Sequence, residues 1–191
     1  MNDKAVTLIE LLISLVILGL VMVGFSSLDL FSSRQVVAAN KILKTQNDAA
    51  YITEFIVKET MKAVGDFASP PVRMISVGGE TGIAFKIDVN ENGRWDSPPD
   101  KEVAFVYRGA PDYEMRYYSD FSGVPGSYAA ISRNAYMVPQ FGPVITDDYL
   151  TMEIATCWDP QNAKTSDACG SPNNPVSRVR SRILIPAASV H

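Results

Sequence analysis

An uninterrupted apolar run near the N-terminus places the tightest constraint on this chain. From Ala5 to about Phe25 nearly every side chain is apolar, and Glu10 is the only charged residue. About 20 apolar residues in a helix cross the ~30 Å hydrocarbon core of a bilayer. The run is therefore predicted to be a membrane-spanning helix. Lys4 lies just before it, which predicts a cytoplasmic N-terminus and an exported remainder.

Two simpler interpretations of the run are a cleaved secretory signal peptide and a plain membrane anchor. A signal peptide has a shorter apolar core and a small-residue cleavage site, whereas this run is long and "GFSSLDLFSS" is a poor site. A plain anchor explains the length but not Glu10, because a carboxylate at this depth is costly and usually functional.

The order of residues in "AVTLIELLISLVILGLVMVGF" resembles the prepilin N-terminus of type IV pilins and type II secretion pseudopilins. The resemblance implies that residues 1–5, "MNDKA", are a leader. A prepilin peptidase would cut between Ala5 and Val6 and methylate the new amine. The sequence departs from the commonest pattern twice, since Ala5 replaces the usual Gly and Val6 the usual Phe.

The same resemblance implies that Glu10, the fifth residue after the cut, acts in filament assembly. Helices in such a filament pack side by side without water, and a buried charge there needs a partner. The candidate partner is the new amine at Val6 of the adjacent subunit. Glu10 would then set the axial register between neighbours, as a polar residue in an apolar seam can.

The helix is predicted to continue beyond the membrane, because residues 28–64 contain neither Gly nor Pro. One helical face of this segment is apolar. Its members are Ala38, Ile42, Ala49, Ile52, Ile56 and Ala63. Gly19 and Gly24 are points where the helix could bend, and Gly65 is a candidate C-cap at its end.

The rest of the chain is predicted to be a β-rich head, because short strand-like runs alternate with Gly- and Pro-containing turns. The predicted strands are Val72–Val77, Ile83–Asp88, Val103–Arg108, Glu114–Tyr118, Tyr149–Ala155 and Ser177–Ile185, with a further one near Ala135–Val138. The fold class is therefore α+β, with a long N-terminal membrane-spanning helix packed against an antiparallel sheet, as in type IV pilins. The domains are predicted as a leader (1–5), a membrane or filament-core segment (6–25), an amphipathic segment (26–64) and the head (65–191).

An acidic loop, "DVNENGRWD", has the spacing of an EF-hand-like calcium loop. Oxygen ligands recur at alternate positions and Gly93 permits the turn. Pro99 stands where such loops have a bidentate Glu, so Asp100 or Glu102 would have to complete the shell. The alternative is a plain hairpin turn. The predicted ligands are Asp88, Asn90, Asn92, the backbone carbonyl of Arg94, and Asp96.

Two further features lie late in the chain. Cys157 and Cys169 are the only cysteines, and in an exported domain they predict a disulfide rather than a metal site, since no other ligands are near. Arg178, Arg180 and Arg182 share one face of a predicted strand. They are interpreted either as a basic ladder for a partner subunit or DNA phosphate, or as a solvated sheet face, which is favoured.

The sequence favours a structural protein over an enzyme, because it has no phosphate loop and no Ser-His-Asp set. A net charge of −4 argues against non-specific nucleic-acid binding. Length, acidic loop and cysteine-bounded loop resemble a minor pilin of the PilW-like group, assembled near a filament tip. The alternatives are a J-type pseudopilin of a type II secretion system, or a membrane-anchored binding or adhesin domain that never polymerises.

The pilin resemblance also implies the location and partners of the chain. It would enter the bacterial inner membrane with its head in the periplasm and contact lipid before assembly. Its expected partners are the prepilin peptidase, the inner-membrane assembly platform and other pilin or pseudopilin subunits. Calcium is the only expected cofactor.

Overall fold

The computed structural model divides into two compact units, Met1–Asn40 and Lys41–His191, here called the N-terminal and C-terminal units. It describes residues 7–65, 69–96, 98–121, 126–137, 141–146, 148–162 and 168–185. In chain order the elements are α1 (Leu8–Thr60), β1 (Val72–Val77), β2 (Glu80–Ile87), β3 (Lys101–Arg108), β4 (Glu114–Tyr118), β5 (Ala129–Ser132), β6 (Val144–Thr146), β7 (Tyr149–Cys157) and β8 (Val176–Leu184).

Helix α1 runs through Gly19 and Gly24 without interruption. By length and composition it is the one described helix that could cross a membrane. Three serine hydroxyls in its first half donate to carbonyls four residues earlier, at 2.7 Å for Ser14, 3.0 Å for Ser26 and 2.9 Å for Ser27. These bonds satisfy the hydroxyls within the helix, which suits a segment that must sit among apolar groups.

The helix ends at Thr60, four residues before the predicted Val64. Its last turn tightens, because Lys62 N–H donates to Glu59 and Ala63 N–H to Thr60, both at 3.1 Å. The chain then joins the first sheet, with Val64 N–H donating to the Lys86 carbonyl at 2.8 Å. Pairing with β2 therefore replaces the last helical turn that the sequence predicts.

Gly65 is not a left-handed C-cap. A Cβ at this position would lie 2.5 Å from the Ser69 carbonyl oxygen and 2.6 Å from the Pro71 nitrogen. The glycine is needed because two stretches of backbone approach each other closely just after the helix.

The described strands form two antiparallel sheets rather than the single predicted sheet. The first has the order β1-β2-β3-β4-β5, and the second has the order β6-β7-β8. Strands β1 and β4 have the predicted bounds. Strands β5 and β6 were not predicted. In place of the strand predicted near Ala135–Val138, Ala135 makes an isolated bridge to Thr156, and Val138 lies outside the described residues. The expected α+β architecture, one long N-terminal helix followed by antiparallel sheets, is confirmed.

Strand β2 begins earlier than predicted, directly after a two-residue turn that joins it to β1. Gly78 and Gly79 have φ values of 61° and 87°, and Val77 pairs with Glu80 across them. Positive φ at both central residues gives a two-residue turn whose twist matches the flanking strands. Strand β2 therefore starts at Glu80 and not at Ile83.

The second half of α1 packs on the sheets to form the main core. Ala49, Ile52 and Ile56 are fully buried against residues of both sheets. Phe55 meets Phe105 edge-on at 5.4 Å between ring centroids. The predicted apolar face holds from Ala49 to Ala63, but Ile42 is 45% exposed. A smaller cluster lies apart from this core and is formed by Ile75, Ala84, Ala104, Val106, Tyr118 and Phe121.

Candidate functional site

The predicted processing residues Ala5 and Val6 lie outside the described residues, and Thr7 is the first residue described. The Glu10 carboxylate reaches back to Thr7 and accepts its backbone N–H at 2.8 Å and its hydroxyl at 2.9 Å. Thr7 precedes the first helical residue, so this is the carboxylate half of a capping box. Within one subunit, Glu10 thus satisfies the start of its own helix.

The sequence analysis did not predict this cap, although its signal is present. The order Thr7-Leu8-Ile9-Glu10 is the S/T-x-x-E pattern that precedes many helices. The cap gives the carboxylate a polar partner within its own chain. It also keeps the charge within the first turn of the helix, where the helix dipole favours a negative charge.

Around Glu10, the first half of α1 exposes a continuous apolar surface. Leu8 is 84% exposed, Leu15 65% and Phe25 69%. Single exposed apolar residues are ordinary on proteins, but a contiguous surface of this kind marks contact with a membrane or a partner. The geometry of this unit therefore requires either lipid or other apolar helices around it.

The acidic loop folds through its own hydrogen bonds. The Asp88 carboxylate accepts Gly93 N–H at 2.7 Å, and Asn92 Oδ1 accepts Arg94 N–H at 2.8 Å. The Asn92 amide donates to Asp96 at 2.6 Å. Glu91 and Gly93 have φ values of 57° and 76°, which close the tight turn.

The side chain of Asp100 anchors this loop. Its side chain accepts Val89 N–H at 2.9 Å and Asp96 N–H at 2.7 Å, and the residue is only 6% exposed. Bonds from N–H groups to a buried carboxylate are among the stronger hydrogen bonds in proteins. Asp100 follows the twelve-residue loop pattern, so a search limited to that pattern misses its role as an anchor.

The predicted calcium ligands thus lie in one loop, but several of their oxygens accept hydrogen bonds from the loop itself. Among the described residues, no three His, Cys, Asp or Glu side chains are grouped so as to hold a metal ion. The donor set is instead two carboxylates, Asp88 and Asp96, with two amides and backbone oxygens. Hard oxygens of this kind suit calcium. Because only two of the ligands are charged, the affinity is predicted to be weak.

A disulfide joins Cys157 at the end of β7 to Cys169. Two lysines of the second half of α1 contact the loop that it closes and the segment that follows Cys169. Lys41 donates to the Asn173 carbonyl at 2.9 Å, and the Lys44 ammonium lies 4.7 Å from the Trp158 ring centroid. Lysine over an indole ring is a favourable cation–π contact. The disulfide loop is thereby fastened to the helix.

Arginines occur in two clusters with different surroundings. In the first, near the β3-β4 turn, Arg108 lies 2.7 Å from Asp112, and Arg116 lies 3.0 Å from Glu114. Burial raises the pKa of Glu80, which faces Arg108 at 3.7 Å, although the two arginines oppose that rise. The sequence analysis missed this cluster because its members come from separate strands and a turn. The second cluster, on β8, is Arg178, Arg180 and Arg182.

Comparison with known proteins bears on the N-terminal segment alone. Residues 1–26 match the family described as the prokaryotic N-terminal methylation motif. No curated protein and no solved structure gives a significant match. The motif implies processing by a prepilin peptidase and assembly with other pilin subunits. The motif and the long apolar helix followed by antiparallel sheets together support a type IV pilin-like protein, either a pilin or a pseudopilin.

Proposed function

We propose that this chain is a minor pilin of a type IV pilus, cut between Ala5 and Val6 and assembled through α1. The observation that supports this most directly is Glu10, a carboxylate within an otherwise apolar, exposed helix that follows a methylation motif. In a plain anchor the carboxylate would serve only as a helix cap, whereas in an assembling helix it would also make a register contact.

On assembly, the Glu10 carboxylate would then exchange one polar partner for another. In the single subunit its carboxylate is held by the backbone N–H and hydroxyl of Thr7. In the filament it would pair with the new amine at Val6 of the neighbouring subunit. The exchange keeps the charge partnered at each stage, which matters because an unpaired charge between apolar helices costs several kcal/mol.

The proposal includes a location and a sequence of partners. The chain would first lie in the bacterial inner membrane, with lipid around the apolar half of α1 and the C-terminal unit in the periplasm. It would meet the prepilin peptidase, then the inner-membrane assembly platform, and finally other pilin subunits. A loop-rich head with two sheets suits a minor subunit at or near the tip better than a repeating shaft subunit.

The direct test is to recover filaments by shearing cells that express the tagged chain, and to measure its share in them. We expect the protein in sheared pili, at low abundance, and lost when the pilus assembly ATPase is deleted. Deletion of the type II secretion ATPase should leave it unchanged. The reverse dependence would identify a pseudopilin, and absence from both filaments would identify a non-polymerising membrane-anchored binding or adhesin domain.

We also propose that the loop from Asp88 to Asp96 binds calcium weakly outside the cytoplasm. Asp88, Asn90, Asn92, the Arg94 carbonyl and Asp96 would supply oxygens, with water completing the shell. The loop is closed by its own hydrogen bonds and anchored by Asp100, so the ion would reinforce an existing turn. Calcium-dependent melting, described in the Discussion, tests this role.

A further inference from the structure

The outward face of the second sheet has an unusual composition. Antiparallel pairing places Arg178 opposite Ala155, Arg180 opposite Glu153 and Arg182 opposite Thr151. Val144 and Thr146 of β6 join the same face through their pairs with Thr151 and Tyr149. Directly paired residues share a face, so this surface, here called the arginine face, brings basic, aromatic and hydroxyl side chains together.

The three arginine side chains on this face differ in their contacts. Arg178 pairs with Glu153 at 2.9 Å. The Arg182 guanidinium lies 4.0 Å from the Tyr149 ring centroid, a cation–π contact that fixes its position without neutralising it. The Arg180 side chain makes no hydrogen bond or ion pair with any described residue, because its cross-strand neighbour Glu153 pairs with Arg178 instead. Within the part of the chain that the structure describes, two of the three positive charges therefore have no acidic partner.

In the other arginine cluster, the arginines have a structural role and are paired with acidic side chains. There Arg108, Arg116 and Arg133 are matched by Glu80, Asp112 and Glu114, and Arg116 is largely buried. The arginine face departs from that pattern in a protein whose net charge is −4. Its excess positive charge is local, and it is complementary to an anionic partner.

A shallow depression of about 500 Å³ lies on this face. On the arginine face it offers two guanidinium groups, two threonine hydroxyls and one tyrosine side chain. Guanidinium binds carboxylate and sulfate with two parallel hydrogen bonds, and hydroxyls and a ring suit the polar edges and apolar faces of a sugar. The lining residues are Thr146, Tyr149, Thr151, Arg180, Ser181 and Arg182.

The arginines are also regularly spaced along β8. Alternate residues of a strand are about 6.8 Å apart, so the row presents positive charge at repeated intervals. Charges on an edge strand also discourage pairing with other strands. That role alone would require neither the stacked Tyr149 nor the hydroxyls beside it. The combination fits a chain of anionic groups carried on sugars.

We propose that the arginine face binds an anionic polysaccharide outside the cell, with Arg180 and Arg182 contacting its carboxylate or sulfate groups. Tyr149 holds Arg182 in place, and the hydroxyls of Thr146 and Thr151 orient the sugar. The proposal does not depend on polymerisation, so it stands or falls separately from the minor-pilin assignment.

The test uses the full-length protein in a neutral detergent and measures its affinity for polymers of known charge and chemistry. The probes are polygalacturonate, dextran sulfate and neutral dextran, with polyglutamate and single-stranded DNA as other anions. We expect one or both acidic glycans to bind at least tenfold more tightly than each of the other three probes. Comparable or tighter binding of polyglutamate, DNA or neutral dextran would overturn the assignment to a glycan.

Variants locate the site. Arg180→Ala with Arg182→Ala should lower glycan affinity at least tenfold, whereas Arg133→Ala, which removes one charge at a position 76% exposed, should not change it. Arg180→Gln is a milder variant of an exposed side chain, and we expect at least a threefold loss. Thr151→Val should weaken binding of sugars without changing the weak binding of polyglutamate. Unchanged affinity in Arg180→Gln or in the double variant would contradict the proposal.

Discussion

The two halves of α1 use the same kind of apolar residue for opposite purposes. In the N-terminal unit Ile17 is 55% exposed, and its neighbours on every side of the helix are exposed as well. Ile56 in the C-terminal unit is fully buried. In the second half, the buried apolar residues share one face, although Leu43 and Tyr51 remain exposed. An all-round apolar helix has no partner within its own chain, whereas a one-sided helix is packed by its own sheets.

The largest expected effect comes from changing the charge in the exposed half. Glu10→Ala should leave the protein in the membrane, because the run becomes more apolar. Incorporation into filaments should fall by about tenfold or more, since loss of a buried charge pair costs several kcal/mol. The measurement is the amount of the variant in sheared filaments relative to the membrane fraction.

Leu15→Ala is the matched control for that experiment, because it shortens an exposed apolar side chain without changing charge. It should assemble at close to the level of the unchanged protein. If Glu10→Ala also assembles at that level, the carboxylate is only a helix cap and has no role between subunits.

The next effect separates the two halves by stability. Ile56→Ala should lower the free energy of unfolding of the C-terminal unit by about 2–5 kcal/mol, because it leaves a cavity in the core. Ile17→Ala should leave that stability unchanged. Denaturant unfolding of the full-length protein in detergent, followed by tryptophan fluorescence, measures both variants. Equal stability of the two would show that the core does not rest on the second half of α1.

The disulfide should matter to the C-terminal unit alone. Replacing Cys157 and Cys169 together by Ala should lower its stability by about 3 kcal/mol in the loop-entropy account. Insertion of the N-terminal unit should not change. Mass spectrometry of unreduced protein should first find the two cysteines linked. Free thiols in the exported native protein would contradict both the bond and the export of this unit.

Calcium is expected to give the smallest effect. With a dissociation constant of about 10⁻⁴–10⁻³ M, roughly 5 mM calcium should stabilise the C-terminal unit by about 1–2 kcal/mol. The melting temperature in calcium should therefore exceed that in chelator, and Asp88→Ala should abolish the difference. Equal melting in both buffers, with no heat of binding, would leave the loop as a hydrogen-bonded turn only.

Much of the fold could be predicted because the spacing of apolar residues along the chain indicates which side chains are buried. The apolar run, the one-sided continuation of the helix and strands β1 and β4 all follow from which residues avoid water. Strands β5 and β6 were missed because they have four and three residues, and such strands form only when a neighbour pairs with them. The division into two sheets was missed because alternation fixes which face of a strand is buried but not which strand lies beside it.

The functional features divide in a similar way. Glu10 was singled out because a charge in an apolar run is visible in sequence, and its cap on Thr7 follows a recognisable local pattern. Asp100 was named only as a possible calcium ligand. Its anchoring role and the Arg108 cluster were missed because their partners are brought together by turns and cross-strand pairing. The calcium loop was predicted from spacing alone. Spacing does not show how many of its oxygens the backbone itself will occupy.

The most direct test of the whole account is the N-terminal sequence of the protein extracted from membranes of cells that have a prepilin peptidase. Intact-mass and fragment analysis should find a chain that begins at Val6 with a methylated amine, because Ala5 precedes the methylation-motif pattern. A substitution of Ala5 by Asp should block the cut and so provides the control. Recovery of the unsubstituted protein with Met1 intact would contradict the assignment as a pilin or pseudopilin.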